Sequence, residues 1–292
     1  GTIVGAGTAT LPVSLAETAN YTADQKEVTI TVRKIEHSLV VDKISYKVTY
    51  GDPAFKITAK AGDTESGIQF ASDNKEVATV SKDGTVTIGN AGTAKITVSM
   101  DESQNYLAVS REVTVTVVPK EITVKITPNG GTYEGTITPA TAVLDGLVGK
   151  DHPEITLTYT GKANDGTEVN GTEVPSLAGT YIVTATIKDK NYSLKPEGSS
   201  AEFVVAKADP ALSVSEVTDK DYGEETFRLN VSNKGDGLKT YASSDDKVAA
   251  VDENGMVTIV GTGTATLTVS LAESANYTAD QKEVTITVRK LG

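Results

Sequence analysis

Few side chains in this 292-residue chain could do chemistry, and their spacing argues against it. The two histidines, His37 and His152, lie far apart in loop-like contexts. A general base or a metal pair needs partners that converge, so both are read as solvated linker histidines. No serine sits in a nucleophile elbow, and no glycine-rich phosphate loop opens a helix. No catalytic, cofactor-binding or metal-ligating residue is assigned, and the chain is read as not an enzyme. Asp219, Asp221, Glu224 and Glu225, and the turn Asp252-Glu253-Asn254-Gly255, could offer oxygens to Ca²⁺. Neither has the spacing of an EF-hand loop, and turn chemistry on a solvated acidic face accounts for both. A Lys–Asn isopeptide cross-link needs a buried lysine, whereas the lysines here fall on polar faces or in turns.

Four Asn-Tyr pairs, at 20–21, 105–106, 191–192 and 276–277, stand out next. Read as chemistry, they are tyrosines on which a ligand could stack. Read as structure, Tyr21, Tyr106, Tyr192 and Tyr277 are corner residues, each burying its ring and returning its hydroxyl to backbone. Their recurrence at the same place in four strand pairs favours the corner. Asn-Tyr-Thr and Asn-Tyr-Ser also match glycosylation sequons, a rule of secreted eukaryotic proteins.

The elements around those pairs repeat. Residues 20–34 recur unchanged as 276–290, and residues 2–34 match 258–290 except at Ala6/Thr262, Pro12/Thr268 and Thr18/Ser274. An offset of 256 residues is too long for one supersecondary unit, so whole modules repeat. Each writes a Gly-Thr strand, an Asn-Tyr corner and a closing strand. Ala9, Leu11, Val13 and Leu15 alternate with polar residues, as do Val28, Ile30 and Val32, which is the half-buried antiparallel pattern. Pro12 cannot donate to a ladder and places its strand at an edge or a bulge. Residues 1–34 are thus the C-terminal half of a module, and the chain is read as a fragment of a longer array. Residues 35–120 form a complete module with an Asp83-Gly84 hairpin, and 208–292 repeat it with Asn254-Gly255. Tyr222-Gly223-Glu224 answers Tyr50-Gly51-Asp52, and Phe227 answers Phe55. Residues 121–207 are a variant without that hairpin signal, with strands expected at 122–127, 155–160, 180–187 and 201–206.

Composition agrees. Thr, Val and Gly are abundant and Trp is absent, which suits β-sandwiches. Asp plus Glu outnumber Lys plus Arg, 39 to 27, and a net charge of −12 repels phosphate backbones. No apolar run approaches the ~18 residues of a membrane span, and no signal peptide opens the sequence. Without cysteine there is no disulfide framework and no thiolate metal site.

The run from Ser72 to Thr87 followed by Ala91-Gly92-Thr93-Ala94-Lys95-Ile96-Thr97-Val98 resembles the bacterial Ig-like group 2 family. So does Ser244 to Val269, and residues 1–34 are similar to that family's C-terminal half. Residues 121–207, with Gly131-Thr132-Tyr133-Glu134-Gly135 and Ala178 to Ala185, resemble MBG-type domains. The resemblance implies an extracellular location on a bacterial surface or cell wall, in adhesins or wall-anchored enzymes whose stalks these modules build, and transfers no catalytic residue.

The expected fold is all-β, with tandem Ig-like β-sandwich modules in a rod-like array. The expected role is a structural stalk, with neighbouring modules of the same polypeptide as its partners. Two alternatives are recognition of a host glycan or protein through sandwich-end loops, and fibre assembly by strand complementation through residues 1–34. Short joints, two of them carrying Pro119 and Pro210, stiffen the array. Small-angle scattering is expected to give a radius of gyration well above the about 19 Å of a compact chain of this length. A value near 19 Å rejects the rod.

Overall fold

The computed structural model describes residues 1–292 and consists of β-strands and turns, with no helix. The chain divides into two compact units: residues 1–122 with 148–151 and 189–193, and residues 123–147 with 152–188 and 194–292. Three apolar cores lie within residues 39–117, 140–205 and 212–288.

Alternation builds the first core. Along Gly92–Met100, Ala94, Ile96, Val98 and Met100 are buried while Thr93, Lys95 and Thr97 face water. This strand pairs antiparallel with Val109–Val118, whose Val113, Val115 and Val117 point to the same side. Gln69–Ser72 and Ser45–Thr49 complete a four-stranded sheet, the latter parallel to Val109–Val118. A second sheet of Phe55–Lys56, Thr85–Ile88 and Ala78–Val80 brings Ala78 and Val86 onto the other side. Its hairpin turns at Gly84, with φ of +85°. There the Asp83 carboxylate takes the Ser81 hydroxyl and the Thr85 amide, bonds that hold its pKa well below the usual carboxylate value.

Residues 212–288 use the same plan, with sheets Lys220–Asp221, Asp280–Arg289, Gly263–Leu271, Lys239–Ser243 and Phe227–Arg228, Met256–Ile259, Ala249–Val251. The middle module differs. A five-stranded sheet runs Gly131–Thr132, Ser200–Ala206, Gly179–Ile187, Ile155–Ala163, Glu168–Gly171, and a three-stranded one runs Thr141–Asp145, Lys120–Thr127, Tyr192–Leu194. Its core is aromatic, centred on Tyr159, Tyr181 and Phe203. The middle module does contain a hairpin, contrary to the sequence reading. Ile155–Ala163 turns into Glu168–Gly171 through Asp165-Gly166, where Gly166 has φ of +95°. That Asp-Gly pair lies in a polar run without the flanking apolar alternation that marks the other two turns.

Residues 1–34 fold as one antiparallel pair, Gly7–Leu15 with Asp24–Val32. Leu11, Val13, Leu15 and Ile30 are 46, 55, 65 and 42% exposed, whereas their counterparts Leu267, Val269, Leu271 and Ile286 are 0, 0, 2 and 0% exposed. Nearly identical sequence therefore sits in two environments, and tertiary neighbours alone decide its burial. Leu267→Ala is expected to cost about 2–5 kcal/mol by removing packed methyls. Leu11→Ala is expected to stay within about 0.5 kcal/mol. Chemical denaturation of the two variants checks the contrast, and equal losses refute it.

Candidate functional site

Three of the four Asn-Tyr corners form joints of the chain, and the asparagine does the joining. Asn105 Oδ1 accepts the Ala6 amide at 2.7 Å, Asn191 Oδ1 accepts Ala91 at 2.8 Å, and Asn276 Oδ1 accepts Ala178 at 3.0 Å. Each donor opens a Gly-Thr strand of the preceding module. The same asparagines use their main-chain carbonyls to accept the linker amides of Ile35, Lys120 and Ala208. One residue thus holds both the preceding module and the chain that leaves it.

Linker lysines add a third contact. Lys34 Nζ donates to Glu102 at 2.6 Å and to the Ser103 carbonyl at 2.7 Å. Lys207 Nζ makes the equivalent bonds to Glu273 and the Ser274 carbonyl. Pro119 occupies this place in the middle linker and offers no ammonium. There Asn191 Nδ2 donates to Asn90 Oδ1 at 2.9 Å instead.

A tyrosine pair and a carboxylate close two of the joints. Tyr50 and Tyr192 meet edge to face with centroids 5.4 Å apart, and both hydroxyls donate to Asp151 Oδ2, at 2.8 and 2.5 Å. The Tyr192 oxygen also accepts the Val148 amide at 2.9 Å. Val148 lies against Gly51, where an added Cβ would approach it to 2.5 Å, so this position needs glycine. Tyr133 and Tyr277 repeat the ring geometry at 5.4 Å, with Glu134 as the carboxylate beside Tyr277. At the first joint the carboxylate is Glu65, which takes both nitrogens of Asn105, and the Tyr106 ring stacks on His37 at 4.8 Å.

These placements correct several expectations. Tyr192 and Tyr277 are buried and Tyr106 is half-buried, but their rings serve the joints rather than the corners of their own sandwiches. The bond from a tyrosine back to nearby upstream backbone belongs to Tyr181, whose hydroxyl donates to the Leu177 carbonyl at 2.7 Å. Tyr21 is 76% exposed, because no module within residues 1–292 covers it. His152 is exposed, but His37 is 2% exposed and is no solvated linker residue. Sequence reasoning also passed over Asp151 and Glu65. The only signal for them was an acid within reach of a corner whose function had been assigned to tyrosine alone. Two of the acids weighed for Ca²⁺ serve turns and ion pairs: Glu224 accepts the Asp221 amide and pairs with Lys220 at 3.2 Å, and Asp252 accepts the amides of Asn254 and Met256.

Burial first, then a hydrogen bond to Asp151, pushes the Tyr192 phenol up to about 12. Burial first, then Glu134, does the same for Tyr277, also to about 12. The folded state holds these protons more tightly than the unfolded chain, so their contribution is complete below the ordinary tyrosine value of about 10. It is lost as pH climbs from there towards 12. Stability followed by urea denaturation at pH 9 to 12 is expected to fall across this window. Tyr192→Phe should flatten the fall, and an unchanged profile refutes the assignment.

Three segments of the sequence match models of known domain families. Residues 53–109 match the model of the bacterial Ig-like domain (group 2), 131–209 the MBG domain, and 225–273 the intimin immunoglobulin-like domain. No curated protein matches the sequence. Among solved structures, Drosophila N-cadherin EC1-3 is 13% identical over 85% of this chain and 98% of that one, with a TM-score of 0.29. The surface layer protein SbsC, domains 1-6, is 16% identical over 100% of this chain and 46% of that one, with a TM-score of 0.27. The present chain therefore spans about half of that S-layer structure. Invasin, a bacterial integrin-binding protein, is 15% identical over 89% of this chain and 62% of that one, with a TM-score of 0.27. The chain is thus all-β, in tandem Ig-like modules with three cores, and a segment of each core-bearing module matches one of these three domain models.

Proposed function

We propose that the chain is a non-catalytic spacer that holds another domain away from a bacterial surface. The observation that carries this reading is the repeated joint: three times an Asn-Tyr corner grips the amide of the preceding module and the carbonyl grips the linker. Each joint spends both oxygens of its asparagine on the preceding module and on the linker. The matched families are typical of extracellular bacterial surface proteins, which supports an extracellular location. Recognition of a host glycan or protein through sandwich-end loops is the weaker reading, since the tyrosines best suited to stacking are used in the joints.

A second reading rests on a separate observation, the exposed apolar face of residues 1–34. That face suits strand complementation by another chain, which would make the array part of a fibre.

The spacer reading is tested by displaying a reporter domain on a bacterial cell through this chain. A bulky antibody is expected to reach the reporter, and an unrelated tandem Ig-like segment of equal length should serve equally well. Failure of that replacement, or a glycan array hit abolished by loop substitutions, favours specific binding instead. Chain-to-chain association that disappears when residues 1–34 are deleted favours the fibre.

A further inference from the structure

The first joint differs from the other two at one position. Because Ile35, Lys120 and Ala208 donate equivalent amides, residues 37, 122 and 210 are equivalent two positions later. Ile122 and Pro210 are buried apolar side chains there, but the first joint buries His37. We propose that this joint is a pH-sensitive latch, closed while the His37 imidazole carries both ring protons and loosened when it gives one up.

The geometry requires two protons. Nδ1 lies 2.8 and 3.0 Å from the two Asp63 carboxylate oxygens, and Nε2 lies 2.9 Å from the Asp101 carbonyl. A carboxylate and a carbonyl can only accept, so each ring nitrogen must donate. Neutral imidazole has a single N–H and turns a lone pair toward one of these acceptors. Water offers little relief, since the His37 side chain is wholly buried and Asp63 is 10% exposed.

The ring is wired to the latch. Asp63 Oδ1 also accepts the Glu65 amide at 3.3 Å, and Glu65 holds the amide and Nδ2 of Asn105. Asn105 Oδ1 in turn holds Ala6. The other face of the contact is Tyr106, stacked on the imidazole with ring planes 14° apart. The charged groups around the ring are mostly acidic. Asp63 and Glu65 come from one loop, Asp101 and Glu102 from another, and Glu36 and Lys34 from the linker. Asp101 turns its carboxylate to Gln69, and Glu102 is held by Lys34. The hydrogen bond to Asp63 therefore raises the His37 pKa above the ordinary histidine value, against the opposing effect of burial, with smaller help from the Asp101 carbonyl and the charges of Asp63 and Glu65. A raised value means the stabilisation is complete below about 6.5 and is lost as pH rises through the folded value. This inference stands on the joint alone and holds whether the array is a spacer or a fibre.

The test uses the full chain with His152→Gln, so that the spectrum contains one imidazole. The ring is titrated by nuclear magnetic resonance while amide exchange is followed at Ala6, Ala91 and Ala178. The last two report the joints without histidine and cancel the general effect of pH on exchange. Protection at Ala6 is expected to fall about tenfold relative to the other two as His37 loses its proton, the equivalent of one charge-assisted hydrogen bond. Asp63→Asn should lower the His37 midpoint and move the loosening with it. The proposal is overturned if Ala6 tracks Ala91 and Ala178 at every pH, or if His37 titrates at or below the ordinary histidine value. It is also overturned if Asp63→Asn changes neither. Should that variant fail to fold, the titration of the unmodified joint decides alone.

Discussion

An amide nitrogen at the start of a Gly-Thr strand has no partner in its own sheet, and the side-chain carbonyl of the next module's asparagine provides one. The three bonds join residues separated by 99, 100 and 98 positions, so each reaches from one module into the next. Backbone donors removed from water without an acceptor cost of order 1–3 kcal/mol, and this makes the contact directional as well as stabilising. An asparagine meets both demands because its side-chain and main-chain oxygens point to different neighbours. Aspartate would offer the same oxygens but could not donate, as Asn105 Nδ2 does to Glu65 and Asn191 Nδ2 does to Asn90.

The acids at the joints show how one geometry is served by different chemistry. Glu65 grips the asparagine itself, Asp151 ties two phenols together, and Glu134 works on the corner tyrosine. Glu134 does so from a backbone φ of +57°, unusual for a side chain of its size, within a turn that carries it to Tyr277. The linker position varies in the same spirit, with lysine at two joints and proline at the third. What is held constant is the asparagine bond, and what differs is how its surroundings are satisfied.

Much of the fold was legible because it depends on local rules. Period-two alternation placed Ala94, Ile96 and Val98 inside, and the Asp-Gly and Asn-Gly pairs marked two hairpins. The corners were visible as a recurrence, but recurrence does not say what a residue touches. Tyrosine drew the assignment because a large ring has an obvious reason to be buried. The asparagine bond joins residues about a hundred positions apart, and no local pattern encodes it. His37 was read as solvated for a similar reason. Its linker is polar in sequence, and only the loops bearing Asp63 and Asp101 enclose the ring. Residues 2–34 make the point most directly, since near-identity with 258–290 could not reveal which copy is covered.

The parallel pairing of early and late strands has a mechanical consequence. In the first complete module, Ser45–Thr49 lies alongside Thr114–Val118 over five residue pairs. Tension applied at the two ends of such a module pulls these strands past each other in shear, loading every rung at once instead of peeling them singly. The corresponding contacts in the other modules are shorter, two pairs at Gly131–Thr132 and two at Lys220–Asp221. A pulling force therefore meets unequal clamps along one chain. The first complete module holds the longest such clamp, and the middle and last hold the shortest.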